Sequence, residues 1–110
     1  MICQQLAVSL KPKAKYYLMD NVRVHLIVSG IVQGVFFRAN TRNQAQMLGV
    51  KGWVRNKHDG MVEITAEGDK EKVERLITWC YKGPPGALVN DVDIKWDDYK
   101  GEFKDFSVRY

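Results

Sequence analysis

Val22-Arg23-Val24-His25-Leu26-Ile27-Val28 runs through Ser29-Gly30-Ile31-Val32-Gln33-Gly34-Val35-Phe36 into Phe37-Arg38-Ala39-Asn40-Thr41, and the change of periodicity along this stretch decides the fold. Over 22–28, Val22, Val24, Leu26 and Val28 share one face while Arg23, His25 and Ile27 share the other, the period of two expected of a half-buried strand. From Phe37 onward the apolar stripe Phe37, Thr41, Ala45, Leu48 follows a helix, with Asn40, Arg42, Asn43 and Gln46 turned to solvent and Gly49 placed to close it in a left-handed conformation. Between the two, Gly30 and Gly34 permit backbone angles closed to other residues.

The same reading extends outward. Val50 to Asn56 reads as a second strand and Met61 to Glu67 as a third with Val62, Ile64 and Ala66 inward, joined by Lys57-His58-Asp59-Gly60, whose Asp-Gly pair signals a hairpin. Asp69 is placed to cap a second helix with the stripe Val73, Leu76, Ile77, Cys80, and Gly83-Pro84-Pro85 stops it because proline cannot continue the hydrogen-bond ladder. Val89 to Trp96 alternates again, and Phe103 to Tyr110 offers a short final strand. Strand, helix, strand, strand, helix, strand, plus a terminal strand, with right-handed crossovers, is the α+β arrangement called ferredoxin-like: an α/β sandwich with two helices on one face of an antiparallel sheet. The other sheet face carries Arg23, His25, Lys51, Arg55, Glu63 and Thr65 and is expected to be open to water or to the leading segment. Trp53 and Trp96 are expected to serve packing.

The bulk properties narrow the function. A chain of 110 residues, 45% hydrophobic and 27% charged, suits one domain over 21–110 behind an N-terminal extension, 1–20. Tyr16-Tyr17-Leu18 in that extension is expected to rest on the sheet or on a neighbouring molecule. The formal charge of +4 comes largely from Lys11, Lys13 and Lys15; the remaining 14 basic residues face 13 acidic ones. No basic stripe for a nucleic-acid backbone results, and no nucleic-acid partner is expected. An RNA-binding module of the RRM kind shares this architecture, but Met61-Val62-Glu63-Ile64-Thr65 on the third strand lacks the aromatic platform such a module needs. Cys3 and Cys80, without CxxC spacing or partnering histidines, suggest neither zinc nor a disulfide and point to a reducing cytoplasm. No stretch reaches the length of a membrane span, and the start lacks the pattern of a signal peptide.

A glycine-bracketed loop feeding a helix N-terminus gathers backbone N–H groups and the positive end of the helix dipole at one point, which suits an anion. Arg38 stands in the first turn, where its planar fork of donors matches two oxygens of a phosphate. Strands one and two, joined by a helical crossover, run in the same direction. Their C-terminal ends, Gly30 and Asn56, therefore meet at one sheet edge about 10 Å apart. A carboxamide there can accept a hydrogen bond from a water. His25 on the open face and His58 in the turn are weak candidates for a general base, Gln33 reads as a loop brace, and Thr41 as a possible support.

Gly30-Ile31-Val32-Gln33-Gly34-Val35-Phe36-Phe37-Arg38 resembles the first signature of the acylphosphatase family, G-x-V-Q-G-V-x-F-R, at every fixed position. Gly52-Trp53-Val54-Arg55-Asn56-Lys57-His58-Asp59-Gly60-Met61-Val62, followed by Gly68, resembles the second. The similarity spans Val22 to Tyr110. It implies hydrolysis of the carboxyl-phosphate bond of a small-molecule acyl phosphate, without metal or cofactor; a monomer is expected. It further implies that the backbone amides of Gln33, Gly34, Val35, Phe36, Phe37 and Arg38, with the Arg38 side chain, hold the phosphoryl group while Asn56 orients the attacking water. One departure stands out: many members carry a small residue where this chain has Phe36, which is expected to alter substrate preference.

Overall fold

A computed structural model describes residues 20–110; the expectations placed on the extension, except at Asp20, lie outside them. Seven elements follow in order: β1 (Asn21–Ile31), α1 (Phe37–Leu48), β2 (Lys51–Asn56), β3 (Val62–Asp69), α2 (Lys70–Lys82), β4 (Leu88–Asp97) and β5 (Phe106–Arg109). The local signals act as expected. Gly49, at φ 73°, closes α1 with its N–H directed to Ala45 and Gln46. Asp69 caps α2 by accepting from the Lys72 N–H at 3.4 Å, and Gly83 ends it. Lys57 and Met61 close the hairpin with a 2.8 Å backbone bond.

The strands form one sheet in the order β4-β1-β3-β2-β5. Both helices cover one face, and between them Val24, Leu26, Val28, Val54, Val62, Ile64 and Ala66 of the strands meet Phe37, Ala45, Val73, Leu76 and Cys80 of the helices. β1 pairs antiparallel with β3 and β4, and β2 pairs antiparallel with β3. The fourth pair corrects the expectation of a wholly antiparallel sheet: β5 lies parallel to β2. The reason is that β4 occupies one edge and β5 the other, so the chain between them must cross the sheet and returns in the direction of β2.

That crossing also corrects the expectation of a uniformly open second face. Glu67 of β3 is 2% exposed and accepts from the backbone N–H groups of Lys100 (2.7 Å), Gly101 (3.2 Å) and Glu102 (3.2 Å) and from Arg23 (3.1 Å). Burial acts first to raise the Glu67 pKa, yet the Lys100 N–H, Arg23 and the other two amides outweigh it and hold the carboxyl below its ordinary range. Phe103, expected in the last strand, instead lies in this connection with its ring 5.2 Å from the Arg23 guanidinium. Thr65 is buried as well, whereas Lys51 and Arg55 are exposed. Trp53 is half-buried beneath Arg55 and Arg109, but Trp96 is 50% exposed and is not a core residue. Among the described residues no helix is long and apolar enough to cross a membrane.

Candidate active site

The loop between β1 and α1 starts at a bulge. The register of β1 against β4 shifts between Ser29 and Gly30, and Gly30, at φ 125°, lies so close to β4 that a Cβ would stand 2.1 Å from the Leu88 carbonyl oxygen. Only glycine fits there. The loop then turns over Gly34 at φ 78° and enters α1 through Phe36 at φ 62°, ψ 27°. Phe36 is the one non-glycine residue at positive φ among those described, and a bulky side chain in that region is strained. Asn40 fixes the conformation by donating to the Phe36 carbonyl through its backbone N–H (3.1 Å) and through Nδ2 (2.9 Å).

From Gln33 to Arg38 no backbone N–H finds an acceptor among the described residues. This follows from the left-handed entry and from the free donors that begin any helix. Gln33 is a brace, as expected. Its Nε2 donates to the Lys57 carbonyl (2.7 Å) and the Met61 carbonyl (2.9 Å), stitching the loop to the turn that follows β2. Asn56, the last residue of β2, stands in register with Val62 of β3, which in turn pairs with Val28 of β1. The stitch therefore holds Asn56 opposite the loop across one intervening strand.

Arg38 and Asn56 line one cavity of about 280 Å³, together with Val32, Gly34, Phe36, Phe37, Ala39, Arg42, Val108 and Tyr110. The Asn56 Oδ1 atom is buried without a hydrogen-bond partner, which is costly unless something outside the chain supplies a donor. The Arg38 guanidinium lies 4.9 Å from the centre of the Tyr110 ring. An aromatic ring holds the face of a guanidinium while its N–H donors, which lie in the guanidinium plane, stay free. Phe36 forms part of the cavity mouth at 79% exposure. Phe37, by contrast, packs inward against Trp79 with ring centres 5.5 Å apart, so it offers the site only its N–H.

The remaining candidates do not line this cavity. Thr41 is fully buried and donates to the Phe37 carbonyl within α1 (2.8 Å), so it does not brace the site. His25 is tied to Glu63 at 2.6 Å on the opposite sheet face, and Arg55 holds the other Glu63 oxygen at 2.6 Å. His58 is exposed in the turn and lines an adjoining recess with Arg55, Lys57 and Asp59, which Asn56 and Tyr110 border as well. Two site residues escaped the sequence reading. Arg42, assigned to solvent, follows Arg38 by one helical turn and reaches the same cavity; the spacing of four was the available signal. Tyr110 could not be placed because its position depends on the long-range pairing of β5 with β2.

The family model described as acylphosphatase matches residues 24–108. The chain belongs to the acylphosphatase family. An acylphosphatase from Pelotomaculum thermopropionicum is 53% identical over 92 residues, which cover 84% of this chain and all of that relative. One from Pyrobaculum calidifontis is 52% identical over 102 residues, covering 90% of this chain and 93% of the relative. The solved structure of an acylphosphatase from Coxiella burnetii superposes with a TM-score of 0.79 at 38% identity, over 84% of this chain and 96% of that one. This acylphosphatase-family chain holds, among its described residues, no group of three or more His, Cys, Asp or Glu side chains arranged for a metal ion.

Proposed function

We propose that the chain hydrolyses small-molecule acyl phosphates to a carboxylate and inorganic phosphate at the cavity between the β1–α1 loop and β2. Arg38 and the backbone N–H groups of Gln33 to Arg38 hold the phosphoryl oxygens, and Asn56 Oδ1 accepts a hydrogen bond from the attacking water. The observation that carries this reading is the shared cavity, in which acceptor-less amides, Arg38 and the unpartnered Asn56 oxygen converge. Family membership supports the choice of substrate.

An acyl phosphate is a mixed anhydride with a carboxylate as leaving group, so the protein has to supply positioning and charge stabilisation rather than a strong base. Water attacks phosphorus, the bond from phosphorus to the acyl oxygen breaks, and the carboxylate leaves. The proton of the water passes to a phosphoryl oxygen, since neither His25 nor His58 lies in the cavity. No cofactor enters the scheme. We place the reaction in the cytoplasm and in a single copy of the chain, because every residue invoked comes from one protomer and Cys80 is a buried free thiol.

The test separates the two roles. Arg38→Ala is expected to lose both turnover and competitive inhibition by inorganic phosphate, with about 1.5 to 3 kcal/mol at stake in a charged hydrogen bond. Asn56→Ala is expected to cut kcat about 100-fold or more while inorganic phosphate still inhibits within a few-fold of wild type. Reversed effects on phosphate inhibition would exchange the assignments, and full turnover in both folded variants would overturn the reading.

A further inference from the structure

Helix α1 has only two charged residues, Arg38 and Arg42, and no acidic residue in its first turn. Both cations sit in its N-terminal half, where the macrodipole favours anions, and their spacing of four places like charges side by side about 6 Å along the axis. Neither is compensated by the protein. Arg23 pairs with Glu67 and Glu102, Arg55 with Glu63 and Arg75 with Glu71. Arg38 and Arg42 have no carboxylate within 4.0 Å among the described residues, and residues 1–19 contain no Asp or Glu. The cavity they line includes no acidic residue either.

The neighbouring recess is different, for there Lys57 is paired with Asp59 at 3.4 Å and Arg55 with Glu63. Arg38 and Arg42 are thus two cations on one cavity wall with no carboxylate among the lining side chains. Loop amides and Arg38 account for a phosphoryl dianion at the helix start. Arg42 stands one turn farther along the same wall, and helical side chains lean back toward the N-terminus, so it borders the cavity beside the phosphoryl position.

We infer that Arg42 is a specificity-determining residue that binds an anionic group on the acyl portion, so that the preferred substrates are acyl phosphates whose acid carries a second negative charge. This rests on the phosphate site proposed above. A matched pair of substrates isolates the added charge: benzoyl phosphate and 4-carboxybenzoyl phosphate, which differ by one carboxylate that cannot reach its own anhydride. The quantity read is the ratio of kcat/KM for the carboxylated substrate to that for benzoyl phosphate. In Arg42→Gln this ratio is expected to fall about tenfold or more, mainly through KM, the size of a lost charge-assisted contact. Recovery of part of the loss in Arg42→Lys would identify charge as the cause. A ratio that does not change between wild type and a folded Arg42→Gln would overturn the inference. So would an equal loss for both substrates accompanied by loss of inhibition by inorganic phosphate, which would make Arg42 a phosphoryl ligand. A folded wild-type protein that hydrolyses neither substrate would instead overturn the proposed reaction, and the role of Arg42 with it.

Discussion

Replacing Glu67 by glutamine tests how the far wall of the cavity is held. Glu67 gathers three backbone N–H groups of the β4–β5 connection and one Arg23 nitrogen, while being 2% exposed itself. Glutamine keeps one acceptor oxygen but turns an NH₂ group toward donors. Breaking a buried charged pair costs about 3 to 5 kcal/mol, and Arg23 retains Glu102 here, so we expect a loss of about 2 to 4 kcal/mol. For a domain of this size that lowers the Tm by roughly 10 to 30 °C. The pH dependence follows from the depressed carboxyl. Its folded-state pKa lies below the ordinary value of 4.5, so the unfolded chain binds the proton more readily. The stabilisation is therefore fully present above pH 4.5 and is lost as the pH falls through the folded-state value. Thermal melts of wild type and Glu67→Gln between pH 7 and pH 3 should converge toward the acid end. A variant that melts within about 2 °C of wild type at pH 7 and loses stability in acid just as steeply would refute the reasoning.

Phe36→Gly removes a left-handed strain of about 1 to 2 kcal/mol and little burial, against about 0.5 to 1 kcal/mol for the looser glycine chain. It should melt no lower than wild type while changing KM for acyl phosphates, and a clearly lower Tm in calorimetry would contradict this. Cys80 is buried, which pushes its pKa up to about 12; in a Cys3→Ser background a thiol reagent at pH 8 should label nothing until denaturant is added. A chain beginning at Asp20 should fold and turn over acyl phosphates, because the Asp20 carbonyl already accepts from the Lys70 N–H (3.1 Å) and every site residue lies beyond it. Insoluble or inactive protein would assign the extension a part in the sheet or the site.

What the sequence revealed and what it hid divide along the range of the interactions. The β1 alternation, the Asp69 cap, the Gly49 closure and the Asp59-Gly60 turn are each decided by neighbours a few residues away, and each is found where the pattern puts it. Gln33 was identified as a brace, but its acceptors, Lys57 and Met61, could be known only once β2 and β1 were set across β3. The burial of Glu67 was not legible in the sequence, because alternation marks it only as a polar position at the end of a strand. That burial comes from a connection more than thirty residues later, forced over the sheet because β4 and β5 occupy opposite edges. Arg42 and Tyr110 follow the same rule: the helix pattern shows a polar outer face, and only the parallel pairing of β5 with β2 turns part of that face into a cavity wall. One half of the site is thus a local device, a strained loop feeding a helix, while the other half is delivered by the last strand. The Glu67 connection lies between these halves in the chain. Loosening it should displace Val108 and Tyr110 before it disturbs the loop, so Glu67→Gln, where it remains folded, should weaken substrate binding through Arg38 while leaving the loop amides in place.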